Sequence, residues 1–199
     1  MAKNIPKVIR FSTGTKDRPH REIFQHYFNR GQYQAAKEVL EDASDADVLT
    51  PFEVVNLRAC LAAVQGALAE AEAYCLEARQ RAENDVQRAA TYENEAFIRA
   101  VQEDFRGEVE AARLGIHIAP QVEGLWLHLL EGLAALKDDD EIDAVLRTMS
   151  QTLDLRKTKV LRLHLLNEPD PDLAYVRSRP EFEATIKPML IAEESHESQ

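Results

Sequence analysis

The sequence predicts an all-α fold in which antiparallel helix pairs stack side by side, and three observations predict it. Apolar residues recur at helical offsets along most of the chain. Glycine is scarce, seven in 199 residues, and each glycine inside a helix would cost about 1 kcal/mol. One spacing pattern also returns. Gly31, Tyr33, Ala36, Leu40 and Ala43 form one set, and Gly66, Leu68, Ala71, Cys75 and Ala78 a second. Gly107, Val109, Ala112, Ile116 and Ala119 form a third, and Asp140, Ile142, Val145, Met149 and Thr152 a degraded fourth. The copies begin at 31, 66, 107 and 140, so they lie 35, 41 and 33 residues apart. A period near 34 with a turn residue ahead of small and apolar residues signals stacked helix pairs.

Residues 1–16 carry no helical periodicity and read as a basic, flexible arm. The helical domain is expected over 17–191, with a disordered acidic tail at 192–199. Ile23, Phe24, Tyr27 and Phe28 share a face of a helix over 18–30. Gly31 falls just past its end, where a left-handed residue is cheapest. The partner helix, over 33–43, carries Tyr33, Ala36, Val39, Leu40 and Ala43. Thr50-Pro51-Phe52-Glu53 is a strong helix start: threonine caps, proline needs no donor in the first turn, and glutamate completes a capping box. That helix runs to Gln65-Gly66 and its partner over 68–83. Asn84 caps the next helix. Nothing from 86 to 106 breaks it, so it is expected to reach about 20 residues, or about 30 Å. Its partner follows over 108–118. Pro120 opens a helix through Leu133, and 141–153 is its partner. Leucines and Val160 give a short helix over 160–166, broken at Asn167-Glu168-Pro169-Asp170-Pro171. The remainder closes the open end of the array, as a stack requires.

Composition narrows the function classes. Net charge is −11, yet the first 21 residues hold six basic side chains against Asp17 alone. The acidic body disfavours nucleic acid. No apolar run is long enough for a membrane span or resembles a secretory signal. Two cysteines give no disulfide framework, so a cytoplasmic setting is expected. No phosphate loop, nucleophile elbow, zinc-protease helix or paired CxxC occurs, so no catalytic residue, cofactor or metal is assigned.

The repeated residues resemble those of tetratricopeptide repeats. Gly31, Tyr33, Ala36, Leu40 and Ala43 fit that family's pattern well, and Gly66, Ala71, Ala78, Gly107, Ala112, Ala119 and Pro120 also fit. The segment from Asp170 to Phe182 resembles the closing segment of such arrays. Val145 and Thr152 depart from it, standing where the pattern has alanine. The resemblance implies a right-handed α-solenoid of about four repeats with a C-terminal helical cap. It also implies an adaptor or scaffold that binds a protein or peptide, as a monomer or homodimer. The alternatives are a secretion-type chaperone for a specific client and a regulatory subunit docked through the basic arm.

In that family the first helix of each pair lines a concave groove. The resemblance thus puts Arg18, Arg21, Gln25, Phe28 and Asn29 there, followed by Asn56, Cys60 and Val64, then Asn94, Phe97, Val101 and Phe105. Asparagine can both donate to and accept from a peptide backbone, and phenylalanine can anchor a side chain. The alternative reading makes the asparagines solvated and the phenylalanines core. A carboxylate clamp of the family type would use Asn29 and Asn56, but its lysines are missing and Arg21 and Arg99 replace them imperfectly. His128 and Glu131, three apart on one helix, have a spacing that metal sites can use, but no second His-carboxylate pair exists and the two read as a surface pair. Cys60 and Cys75 read as two small buried hydrophobes.

Overall fold

Four turns of one type organise the chain. The structure, a computed structural model, describes residues 19–46, 48–167 and 169–191. Eleven α-helices run through these residues: α1 (Pro19–Asn29), α2 (Tyr33–Asp45), α3 (Pro51–Val64), α4 (Leu68–Arg81), α5 (Asp85–Val101), α6 (Phe105–Ile118), α7 (Glu123–Leu136), α8 (Asp139–Thr152), α9 (Lys159–Asn167), α10 (Pro171–Arg177) and α11 (Lys187–Ile191). A π turn, Phe182–Ile186, leads into the last. No strand occurs among the described residues, and no helix there is long and apolar enough to cross a membrane. The expected arm at 1–16 and tail at 192–199 lie outside the described residues.

The backbone φ is positive at Gly31, Gly66, Glu103 and Lys137, at 71°, 79°, 59° and 59°. At each site the positive-φ residue bonds back to the carbonyl three before it, and the next residue bonds to the carbonyl five before. The pairs are Gly31 to Phe28 with Gln32 to Tyr27, Gly66 to Ala63 with Ala67 to Ala62, Glu103 to Ala100 with Asp104 to Arg99, and Lys137 to Ala134 with Asp138 to Leu133. This is the Schellman ending, which satisfies carbonyls that a helix terminus leaves open. The next helix starts at once, with the second donor of each pair as its N-cap.

These turns start at 31, 66, 103 and 137, so they lie 35, 37 and 34 residues apart. The long helix expected from 86 to 106 is therefore corrected. α5 stops at Val101, Phe105 opens α6, and Gly107 sits within the first turn of α6. The fourth turn is at Lys137 and not Asp140. Both shifts have one cause. The sequence offers no glycine at Glu103 or Lys137, and aspartates begin the following helices instead. Asp104 accepts the Gly107 N–H at 3.0 Å, and Asp138 accepts the Glu141 N–H at 3.3 Å. Pro120 does not open α7 either. It precedes the helix, and its carbonyl accepts the Trp126 indole N–H at 2.7 Å.

Other local expectations match. Thr50 and Glu53 form the capping box, with Thr50 N–H to Glu53 at 2.9 Å and Glu53 N–H to Thr50 at 3.3 Å. Asn84 caps α5 by accepting the Gln87 N–H at 2.9 Å.

Counting from each turn gives aligned buried positions. Five residues on stand Ala36, Ala71, Glu108 and Ile142. Nine on stand Leu40, Cys75, Ala112 and Leu146, and twelve on stand Ala43, Ala78, Gly115 and Met149. All twelve are buried. Eleven are apolar or glycine. The exception is Glu108.

From α1 to α8 each helix packs on its chain neighbours, α9 and α10 pack on α7, and α3, α5 and α7 pack on one another in sequence, α3 on α5 and α5 on α7. α3 and α7 are buried nearly all round, including every residue from 124 to 134, which suits helices apolar on all faces. Phe24, Phe28, Leu40, Leu57 and Leu61 belong to a core under the first helices. Leu127, Leu130, Ile142, Leu146, Leu173, Phe182 and Leu190 belong to another that includes the C-terminal cap. Glu123 ties the cap on by accepting the N–H groups of Val160 and Leu161, both at 2.9 Å. Burial raises the Glu123 pKa, and those two donors oppose the rise. Arg179 adds ion pairs to Asp139 at 2.7 Å and Asp143 at 2.9 Å on α8.

Candidate functional site

The inner face of the odd-numbered helices was expected to line a groove, and five of its residues, Phe28, Asn56, Cys60, Asn94 and Phe97, are buried. Phe28 of α1 meets Phe97 of α5 with ring centroids 6.5 Å apart. Phe28 also stacks on Phe24 at 5.7 Å and meets Tyr33 at 5.3 Å. Phe97 reaches the His128 ring on α7 at 6.4 Å. The rings form a continuous aromatic line joining α1, α5 and α7. Edge and offset contacts of this kind contribute about 0.5–1.5 kcal/mol each beyond burial.

Asn56 and Asn94 come together, but inside the protein. Asn94 donates its side-chain N–H to the Asn56 carbonyl at 2.8 Å, and the Cys60 thiol donates to Asn94 Oδ1 at 3.2 Å. Asn94 thus joins α5 to α3. Its helical neighbour Phe97 is buried as well. Arg21, Gln25, Asn29, Val64 and Val101 remain partly exposed. Arg21, Gln25 and Asn29 recur every four residues, so they make one stripe along α1. Arg18 lies outside the described residues. Phe105 belongs to α6. Cys60 and Cys75 are free buried thiols. Burial pushes Cys60 well up and Cys75 up to about 12, so neither is poised as a nucleophile.

His128 and Glu131 are the second correction. They are not a surface pair; both are buried. His128 Nδ1 lies 2.9 Å from Glu108 Oε1 on α6 and 3.6 Å from Glu131 Oε2. The close approach of the helices explains the meeting. A Cβ at Gly132 would stand 2.9 Å from Val109 Cγ2 and 3.2 Å from the Phe105 carbonyl oxygen. A Cβ at Gly124 would collide with the Glu93 carboxylate of α5. Gly132 lies four residues after His128, so that face of α7 admits α6 closely beside the histidine. Sequence reasoning missed Glu108 as a partner because the glycine register put Ala112, not Glu108, at the close helix contact. Counting from the aspartate caps would have exposed a carboxylate at that position.

A cleft of about 320 Å³ opens between α2, α3 and α4, lined by Lys37, Glu41, Arg58, Glu70, Tyr74 and neighbouring apolar groups. Its charges are mixed, and the Tyr74 hydroxyl donates to Glu70 at 3.0 Å.

No family model matches the chain, and no curated protein or solved structure matches it significantly.

Proposed function

We propose that the chain is a non-enzymatic interaction module: a right-handed solenoid of four helix pairs, closed by a helical cap, that binds a protein or peptide partner. The observation that supports this most is the recurrence of one turn geometry at 31, 66, 103 and 137. Repeated units of this length stack and present long surfaces rather than a single enclosed pocket. Filling of the inner face by Phe28 and Phe97 moves the partner surface outward, to the α1 stripe of Arg21, Gln25 and Asn29 and to Val101, one helical turn beyond Phe97. A guanidinium and two amides are groups of the kind that pair with the carboxylate and backbone oxygens of an extended, acidic or C-terminal peptide segment.

The test is a titration of the partner captured from the native cell against folded variants. Gln25→Ala and Asn29→Ala should each weaken binding several-fold, since a direct hydrogen bond contributes about 0.5–1.5 kcal/mol. Glu83→Ala, exposed beyond α4, should leave it unchanged. Equal affinity across all three would exclude the α1 surface.

A further inference from the structure

We propose that Glu108, His128 and Glu131 form a buried site for one divalent transition-metal ion, with Zn²⁺ the best fit. One ligand atom from each of the three lies within 4.8 Å of the others, and all three residues are buried. The spacing suits the ion. Tetrahedral Zn²⁺ with bonds of about 2.0–2.1 Å places neighbouring ligand atoms about 3.3 Å apart. The two separations from His128 Nδ1, 2.9 and 3.6 Å, bracket that edge. Three protein ligands leave the fourth position for water, and imidazole with carboxylates is a donor set that Zn²⁺ accepts.

Two further observations point the same way. Glu108 occupies the position five residues after a turn where the other units place Ala36, Ala71 and Ile142, all buried. Packing there calls for an apolar group, and the chain places a carboxylate. That departure coincides with Gly132 on α7, where a Cβ would crowd Val109 and the Phe105 carbonyl of α6. Gly132 lies in the interior of α7, where glycine costs about 1 kcal/mol, so the sequence gives up helix stability for this close approach. A dication held by all three residues would link α6 to α7. The site is separate from the α1 surface and does not depend on it.

The probe is Zn²⁺ itself, titrated into the full-length, tag-free protein after chelator stripping, in competition with a chromogenic chelator. One equivalent should bind, and the thermal midpoint should rise with it. Co²⁺ in its place should give ligand-field bands without the thiolate charge-transfer band that Cys60 or Cys75 would produce. Glu131→Gln and His128→Gln should weaken binding by about 10–100-fold or more, since even changes beyond the ligand shell do this. His117→Gln, an exposed histidine on α6, should change nothing. The wild-type titration decides the matter even if a variant fails to fold. Absence of a stoichiometric ion, a thiolate band, or equal affinity in the folded Glu131→Gln variant would each overturn the assignment.

Discussion

The first two turns and the last two reach the same geometry by opposite chemistry. At Gly31 and Gly66 the left-handed residue is glycine, and the following N-caps, Gln32 and Ala67, make no side-chain cap bond. At Glu103 and Lys137 the left-handed residue carries a side chain, and the following caps, Asp104 and Asp138, each accept a backbone N–H. A side chain in the left-handed region costs roughly 1–2 kcal/mol. An aspartate N-cap contributes about 1 kcal/mol over alanine. The two terms are of similar size, so relief at the end of one helix and capping at the start of the next are exchangeable. A turn of fixed shape thus constrains the sum of two local energies, and a single residue type does not mark it.

The packing differs along the same divide. In the first half the position five after each turn is alanine, which lets the helices approach. In the third unit it is Glu108, and the opposing helix carries Gly132, whose Cβ would stand 3.5 Å from Glu108 Cγ. The aromatic line from Phe28 through Phe97 to His128 joins the two halves.

The largest expected effect comes from cutting that join. Phe97→Ala removes a buried ring that touches both halves and should destabilise by about 3–5 kcal/mol, read from urea midpoints. A loss below 1 kcal/mol would mean the halves are held together elsewhere. Removing the aspartate caps sharpens the contrast between turns. Asp104→Ala and Asp138→Ala should each cost about 0.5–2 kcal/mol. Gln32→Ala should cost almost nothing, because Gln32 makes no cap bond. Similar losses at all three would erase the distinction.

Much of the fold was legible in the sequence where the signal was local. Thr50-Pro51-Phe52-Glu53, Asn84 and Gly31 each carry their own physics within four residues. The third and fourth units were harder to place, because Gly107 and Asp140 imitate turn residues one helical turn late. Gly107 is a helix-start residue below the Asp104 cap, and Asp140 lies just inside α8 behind the Asp138 cap. That slip hid the buried triad, since it placed Ala112 where Glu108 stands. The candidate surface was less legible still. Helical spacing gave Asn56, Asn94 and Phe97 a common face, and all three are buried. Spacing does not say that the face is closed, because closure depends on α1 meeting α5 across residues far apart in the chain.

The most direct measurement is a sign test at the two unmarked turns. Glu103→Gly and Lys137→Gly should leave stability unchanged or raise it by up to about 1 kcal/mol, because glycine relieves the left-handed strain. If 103 lay inside a long helix, as the apolar pattern alone suggests, Glu103→Gly would instead lower stability by about 1 kcal/mol. A rise or no change in the urea midpoint for both variants is the result predicted by turns at 31, 66, 103 and 137. A fall of that size for both would contradict it.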